Sequence, residues 1–125
     1  MTMKLDESFY KQDVLEVAQA LLGKIIVREV DGTKLSARII DCEAYPGIKD
    51  RASHTYNNLQ TGRTSTMFNG SGHLYVYLIY GLHSVANIVC GPEELGGGVM
   101  LRAVEPVTEE DYQAFSLNRF GVLPD

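Results

Sequence analysis

The stretch Lys24-Ile-Ile-Val-Arg-Glu-Val-Asp-Gly-Thr-Lys-Leu-Ser-Ala-Arg-Ile-Ile-Asp-Cys-Glu-Ala-Tyr45 decides the fold, because it has the pattern of two strands joined by a tight turn. Each run contains consecutive β-branched residues, Ile25-Ile-Val27 in the first and Ile39-Ile40 in the second, and Asp31-Gly32 stands between the runs. An Asp-Gly pair in this position is the strongest short-range signal for a β-hairpin. The sequence therefore predicts antiparallel strands over residues 24–30 and 35–45.

A helix is expected directly before this hairpin. Asp13-Val-Leu-Glu16 has the spacing of a capping box, and it opens an apolar segment that Gly23 closes. The pattern predicts a helix over residues 14–22.

After the hairpin, the chain contains a long polar segment and then three more apolar runs. Residues 46–72 are rich in Asn, Thr, Ser and Gly, and a loop of this length in a small domain usually serves a function. Strands are predicted over residues 74–81, 84–89 and 98–104, and Thr108 begins a second helix with acidic residues in its first turn.

The order of these elements indicates the fold class. Runs of strands with helices at the ends predict an α+β fold: a single domain over residues 1–125 with a mostly antiparallel, curved sheet of about five strands flanked by helices. Cys42 and Cys90 lie in apolar, strand-like contexts without metal-ligand spacing, so we expect free thiols. No apolar stretch has the length of a membrane helix and the N-terminus lacks the layout of a signal peptide, so we expect an intracellular protein and no membrane partner.

The net charge of -5 is unevenly distributed along the chain. Residues 105–125 contain five acidic residues and one basic residue, which leaves 11 acidic and 10 basic residues before them. The first 104 residues are therefore close to neutral, and the overall charge neither supports nor excludes a nucleic-acid partner.

Strand alternation places candidate catalytic groups together near the end of the second strand. Side chains alternate between the two faces of a strand, so we expect one face to carry carboxylates and a tyrosine and the other to be apolar. The first set is Ile39, Asp41, Glu43 and Tyr45, and the second is Ile40, Cys42 and Ala44. A carboxylate in a partly dry cleft can serve as a general base, whereas an acid on an edge strand is more often simply solvated.

The segment Leu74-Tyr-Val-Tyr-Leu-Ile-Tyr-Gly81 holds three tyrosines on one short strand. Tyr75 and Tyr77 share a face that is able to stack a planar ligand, and Tyr80, beside a glycine, is placed to project from a hairpin tip. Tyrosine is also simply a good strand former, so this segment alone does not establish a binding surface.

The order of several motifs carries more information than any one of them. Glu43-Ala-Tyr-Pro-Gly47 is followed by His54, Met67-Phe68, the tyrosine strand, Asn87 and Leu101-Arg-Ala-Val-Glu-Pro106. With these motifs the chain resembles the alkyladenine (3-methyladenine) DNA glycosylase family over about residues 5–106. Long motifs in one order are far more specific than a lone glycine-rich or histidine-containing signature.

The resemblance implies a catalytic pair and a base pocket. Glu43 would deprotonate a water for attack on the sugar C1′ of a flipped nucleotide, and Arg102 would help to hold that water and the glutamate. The implied pocket walls, which stack on the extruded base and hydrogen-bond to it, are Tyr45, His54 and Tyr77. Asn87 would disfavour guanine by crowding its exocyclic amino group.

The resemblance also implies a DNA interface, with double-stranded DNA containing damaged purines as the partner and no metal or other cofactor. Tyr80 would intercalate in the gap left in the duplex. The residues implied to contact the DNA backbone and minor groove are Arg63, Thr61, Met67 and His83. No lysine lies in the motifs to form a Schiff base, so we predict base release that leaves an abasic site without strand cleavage.

The chain departs from the family pattern after Pro106. Only residues 107–125 follow, without the family's Gly/Pro-rich pocket-closing stretch, so we expect the C-terminal part of the family fold to be missing or shortened. Gly62 stands where a proline is usual, and His83 where a tyrosine is common.

Three functions remain open from the sequence. The chain is an active purine glycosylase, a shortened homologue that binds DNA without turnover, or a single-strand or RNA binder that uses its tyrosines for stacking. Taken singly, Asn87 also fits a core amide, His54 a loop residue and Arg102 a salt-bridge partner. The preferred purine and the oligomeric state are not readable from the sequence.

Overall fold

A five-stranded antiparallel sheet forms the centre of the computed structural model, which describes residues 4–48, 50–52, 71–79 and 83–120. The elements in chain order are α1 (Glu7–Tyr10), α2 (Val14–Leu21), β1 (Ile25–Val30), β2 (Thr33–Tyr45), β3 (Leu74–Ile79), β4 (His83–Val89), a 3₁₀ helix (Glu93–Leu95), β5 (Gly98–Pro106) and α3 (Glu109–Phe120).

The strands lie in the order β1-β2-β5-β4-β3, and every neighbouring pair is antiparallel. Two hairpins, β1-β2 and β3-β4, therefore flank β5, although β5 is the last strand in the sequence. The curved antiparallel sheet and the helices confirm the predicted α+β class.

The β1-β2 turn has the geometry that its sequence predicts. Asp31 has a φ of 52° and Gly32 a φ of 80°, and Val30 pairs with Thr33 across the turn. A two-residue hairpin turn whose twist matches that of the strands requires positive φ angles at both residues. The predicted hairpin is confirmed, with strand ends that differ by one or two residues.

Helix α2 begins at its predicted cap. The backbone N–H of Leu15 donates to Oδ1 of Asp13 over 2.9 Å, and the helix ends at Leu21, one residue before the predicted end. Its buried side chains pack on one face of the sheet, and the valine and leucine side chains among them each contribute on the order of 1.5–3 kcal/mol by leaving water. This core consists of Val14, Val17, Ala18, Leu21, Ile39, Ile88, Cys90 and Val99.

Strand β2 does not keep the alternation predicted for residues 39–45. Ile39 pairs with Val104, but the register against β5 then shifts twice, passing over Ile40 on β2 and Arg102 on β5. A bulge adds a residue and changes the face on which the preceding side chains lie. The prediction that Ile39 shares a face with Glu43 is wrong, because Ile39 is buried in the core against α2.

Helix α3 begins with a reciprocal cap. The backbone N–H of Asp111 donates to Oγ1 of Thr108 over 3.1 Å, and Oδ2 of Asp111 accepts from the Thr108 backbone N–H over 3.0 Å. The other oxygen, Oδ1, accepts from the backbone N–H of Ser36 over 2.9 Å. The predicted helix start is confirmed, and the same carboxylate ties α3 to β2.

Two short elements were absent from the sequence predictions, namely α1 and the 3₁₀ helix. The only local signal for α1 is Asp6, whose side chain accepts from the backbone N–H of Phe9 over 3.2 Å. Cys42 and Cys90 are free thiols, as predicted. Across the described ranges, no helix is both long and apolar enough to span a bilayer.

Gly47 has a structural requirement at the end of β2. Its φ is +109°, and a Cβ built on it would lie 1.8 Å from the carbonyl oxygen of Leu95. The neighbouring backbone N–H of Ile48 donates to that same oxygen over 2.9 Å. A side chain is therefore excluded where the chain leaves β2 and passes over the 3₁₀ helix.

Candidate active site

The face of the sheet opposite α2 aligns one residue from each of four strands, namely an acid, a methionine, an amide and a tyrosine. Glu43 on β2 pairs with Met100 on β5, Met100 pairs with Asn87 on β4, and Asn87 pairs with Tyr75 on β3. We call these four residues the Glu43 row. Adjacent strands lie about 4.8 Å apart, so the Glu43 strand lies roughly 14 Å across the sheet from β3, which carries Tyr75 and Tyr77.

Both oxygens of the Glu43 carboxylate have partners. Nη1 of Arg102 lies 3.2 Å from Oε1, and the hydroxyl of Tyr45 donates to Oε2 over 2.5 Å. The side chains of Glu43 and Arg102 are 42% and 51% exposed. The carboxylate is therefore held in one orientation and remains accessible to a small molecule. Arg102 lies beside Glu43 as predicted, while its role in holding a water stays a prediction.

Tyr45 is held in its protonated form by this arrangement. The hydrogen bond to Glu43 raises the pKa of the Tyr45 phenol to about 12, because ionisation would place a second negative charge against the carboxylate. Burial and the nearby Tyr77 also raise this pKa, and Arg102 opposes the rise. The Tyr45 and Tyr77 phenols are therefore close enough to interact electrostatically, while their roles as pocket walls stay a prediction.

Tyr77 rests on a small aromatic core. Its ring centroid lies 5.3 Å from that of Tyr75, with the two ring planes inclined by 41°. Tyr75 is buried beside Val89, and Tyr77 packs on this pair while staying half-buried. Tyr75 is therefore a supporting residue, which leaves Tyr77 as the more accessible of the two aromatic rings.

Asn87 lies in the centre of the Glu43 row. It is 5% exposed, and its Nδ2 donates to the backbone oxygen of Tyr75 over 3.2 Å. This bond satisfies part of the buried amide and fixes its orientation against β3. Asn87 thus occupies the floor of the face between Glu43 and the tyrosines. The structure leaves its exclusion of guanine as a prediction.

Several predicted site residues lie outside the described part of the chain. They are His54, Thr61, Arg63, Met67 and Tyr80. His83, by contrast, is described: it is exposed at the start of β4 and pairs with Ile79 beside the tip of the β3-β4 hairpin. That position is compatible with the predicted contact to DNA.

The structure adds two residues that sequence reasoning missed. Met100 is buried between Glu43 and Asn87, and Gly98 pairs with Tyr45. The alternation of Gly98, Met100 and Arg102 along β5 was a usable signal, because residues two apart share a face.

A hollow of about 210 Å³ lies elsewhere, between the first two helices and the sheet. Its ionisable lining residues are Tyr10, Lys24 and His73, and no carboxylate lines it. None of the described candidate catalytic or pocket residues lies in it, so the site is assigned to the Glu43 face. The lining residues are Leu5, Tyr10, Leu21, Lys24, Ile25, Ile26, Ile39, Gly72, His73, Leu74 and Ile88.

The residues of this face lie within a segment that matches a known protein family. The family model for Methylpurine-DNA glycosylase (MPG) matches residues 8–120, which contain every described residue of the site. The chain belongs to this family. The resemblance seen in the sequence motifs is thereby confirmed.

Curated relatives of this chain carry the name "Putative 3-methyladenine DNA glycosylase". The relative from Clostridium botulinum is 50% identical over 119 residues, which cover 95% of this chain and 58% of the relative. Relatives from Clostridium beijerinckii and Alkaliphilus oremlandii are 49% and 51% identical, over 90% and 84% of this chain and 55% and 52% of their own lengths. The chain therefore spans little more than half the length of the curated relatives that it matches.

Proposed function

We propose that this chain is a monofunctional DNA glycosylase that hydrolyses the N-glycosidic bond of alkylated or deaminated purines in double-stranded DNA. The purine is flipped out of the duplex, and the product is an abasic site. The observation that carries the proposal is the Glu43 carboxylate, held by Arg102 and Tyr45 at one end of a row that leads to tyrosines. The expected location is intracellular, with the DNA.

The proposed reaction needs only a base and a water. Glu43 accepts a proton from water, the water oxygen bonds to the sugar C1′, and the bond from C1′ to the purine nitrogen breaks with its electron pair going to the purine. An alkylated purine that is already cationic leaves as a neutral base without an acid. A neutral purine such as hypoxanthine or ethenoadenine leaves with the electron pair of the broken bond and takes a proton from solvent water. The carboxylate also stabilises the positive charge that develops on the sugar.

The proposed pocket uses the aromatic side of the same face. Tyr45 and Tyr77 flank the extruded base, and Asn87 crowds the exocyclic amino group that distinguishes guanine. Their mutual placement supports these roles, since Tyr77 is packed on Tyr75 and Asn87 is anchored to the same strand. A base flanked by aromatic rings gains roughly 1–3 kcal/mol per stacking contact.

The remaining proposed contacts belong to the duplex. His83 stands beside the β3-β4 hairpin tip, where Tyr80 follows β3 in the sequence and is proposed to fill the gap left by the flipped nucleotide. The residues proposed to complete the pocket and the backbone contacts are His54, Thr61, Arg63 and Met67.

A second candidate function follows from the length of the relatives. The chain covers 58% of the Clostridium botulinum relative, so a chain of this length that binds damaged DNA without releasing the base is the alternative. The two candidates differ in chemistry and not in binding, which makes them separable by one assay.

The test uses a labelled duplex with one hypoxanthine or ethenoadenine, incubated with the protein and then treated with alkali, which breaks the strand at abasic sites. We expect breaks at the lesion with the unaltered chain. Glu43→Gln is expected to lower the rate of base release by roughly 10²–10⁴-fold, the usual contribution of a general base, while retaining duplex binding.

Glu105→Gln is the matched control. Glu105 pairs with Arg38 over 3.0 Å on the same two strands and is similarly exposed, so it tests loss of a carboxylate–arginine pair away from the site. Full activity of Glu43→Gln would contradict the glycosylase assignment. Lesion-specific binding without base release in the unaltered chain would support the binding-only alternative, and binding of single strands without lesion preference would contradict both.

A further inference from the structure

We propose that the Tyr45 hydroxyl is a positioning group for the Glu43 carboxylate, acting in addition to the aromatic ring of Tyr45. The inference rests on the proposed glycosylase function and names a further role within that site. It separates two contributions of one side chain: the ring flanks the base, and the hydroxyl holds the general base.

The geometry provides two anchors for one carboxylate. Tyr45 and Glu43 are two residues apart on β2, and the phenol reaches Oε2 over 2.5 Å. Arg102, on β5, approaches the other oxygen, Oε1, at 3.2 Å. A glutamate carboxylate otherwise rotates about several bonds, and its terminal torsion is broad. With one partner on each oxygen, both the position and the plane of the carboxylate are defined.

The two anchors leave room for a water. A carboxylate has about four lone-pair sites, of which the Tyr45 hydroxyl occupies one, while the Arg102 guanidinium lies 3.2 Å from the other oxygen. Glu43 can therefore accept a proton from water without losing either partner. The hydroxyl orients the base and does not block it.

The surrounding charged and titratable groups keep the hydroxyl in its donating form. Those that face Tyr45 from the described elements are Glu43 on its own strand, Arg102 on β5 and Tyr77 on β3. The hydrogen bond to Glu43, burial and the nearby Tyr77 raise the pKa of the Tyr45 phenol to about 12, and Arg102 opposes this rise. The hydroxyl is therefore protonated, and able to donate, throughout the pH range in which a DNA duplex is stable.

The test is Tyr45→Phe, which keeps the ring and removes only the hydroxyl. Single-turnover base release from an ethenoadenine duplex and the dissociation constant for that duplex are measured across pH. We expect the dissociation constant to change by less than about twofold and the release rate to fall about tenfold, because a hydrogen bond to a charged group is worth about one factor of ten.

Tyr112→Phe is the control, since Tyr112 is an exposed tyrosine on α3, away from the site. A Tyr45→Phe rate and pH profile equal to those of the unaltered chain would overturn the inference, as would weaker binding with an unchanged rate. In either case loss of release in Glu43→Gln would still support the glycosylase function. Absence of base release from the unaltered chain would overturn both proposals.

A second measurement tests the hydrogen bond without activity. The difference in tyrosinate absorbance between the unaltered chain and Tyr45→Phe isolates the titration of Tyr45. We expect a midpoint near 12, moving towards 10 in Glu43→Gln, with the fold monitored by circular dichroism at each pH. A midpoint near 10 in the unaltered folded chain would overturn the inference.

Discussion

Cys42 and Glu43 are neighbours in the sequence, yet they lie in opposite surroundings because successive side chains of a strand point to opposite faces. Cys42 faces α2, where its Sγ donates to the backbone oxygen of Ala18 over 3.4 Å. Glu43 faces the candidate site and contacts Arg102 and Tyr45. A slip of one residue in the register of β2 would exchange the two and abolish the site.

Cys90 also lies on the core face of the sheet, and the burial of its thiol can be tested. It is 1% exposed, and burial raises the pKa of its thiol to about 12. In Cys42→Ser, which leaves Cys90 as the only thiol, we expect almost no reaction with a chromogenic disulfide reagent at neutral pH until urea unfolds the chain.

The same pKa shift determines how the stability depends on pH. The folded chain retains the Cys90 proton above the pH at which the unfolded chain loses it, so this stabilisation is present below about pH 8.5 and is lost as the pH rises towards 12. Rapid labelling of Cys90 in the native Cys42→Ser variant would contradict the buried position.

At the level of elements, the Asp111 carboxylate links α3 to the sheet through hydrogen bonds. Asp111 is 4% exposed, caps its own helix through Thr108 and accepts from the backbone of Ser36 on β2. These hydrogen bonds, that from Ser36 first, lower the pKa of Asp111. Asp111, in the acidic first turn of α3, therefore has a structural role.

Asp111→Asn is expected to lower the urea midpoint at neutral pH, because one acceptor oxygen is replaced by a donor that faces other donors. The charged Asp111 stabilises the fold above the pKa of the unfolded residue, near 3.9, and this contribution disappears as the pH falls through the lower folded value. The difference between variant and unaltered chain should therefore shrink at acid pH.

Glu110→Gln, at an exposed position of the same helix, serves as its control. An Asp111→Asn urea midpoint equal to that of the unaltered chain at neutral pH would show that α3 does not depend on this carboxylate.

At the level of the whole molecule, the sheet separates two environments. Helix α2 packs on one face and supplies most of the core, while the Glu43 row lies on the other. Residues on the core face therefore support the strands whose register aligns the site, although they are not part of it.

Leu21→Ala tests this dependence. Leu21 is 2% exposed and lies in the core, so its truncation should reduce the free energy of unfolding by about 2–5 kcal/mol, measured by urea denaturation. Leu15→Ala, at a 57% exposed position of the same helix, should have an effect within about 0.5 kcal/mol. Equal effects of the two substitutions would contradict the packing of α2 on the sheet.

The sequence by itself determined the elements whose signals are local. Asp31-Gly32 predicts a turn because both positions must adopt positive φ, and Asp13 and Thr108 predict helix starts because their side chains accept from nearby backbone N–H groups. The order of the motifs was also enough to indicate the family, because the motifs together include many positions of the chain. Identification of Glu43 and Arg102 as a candidate pair needed that resemblance.

Only the tertiary structure decided how these elements meet. The register shift between Ile39 and Cys42 depends on the pairing of β2 with β5, two strands separated by more than fifty residues, and no local pattern encodes it. The same pairing places Met100 between Glu43 and Asn87 and brings Tyr45 against the carboxylate. Contacts between distant strands follow from packing of the whole sheet, so the site became definable only once the strands were aligned.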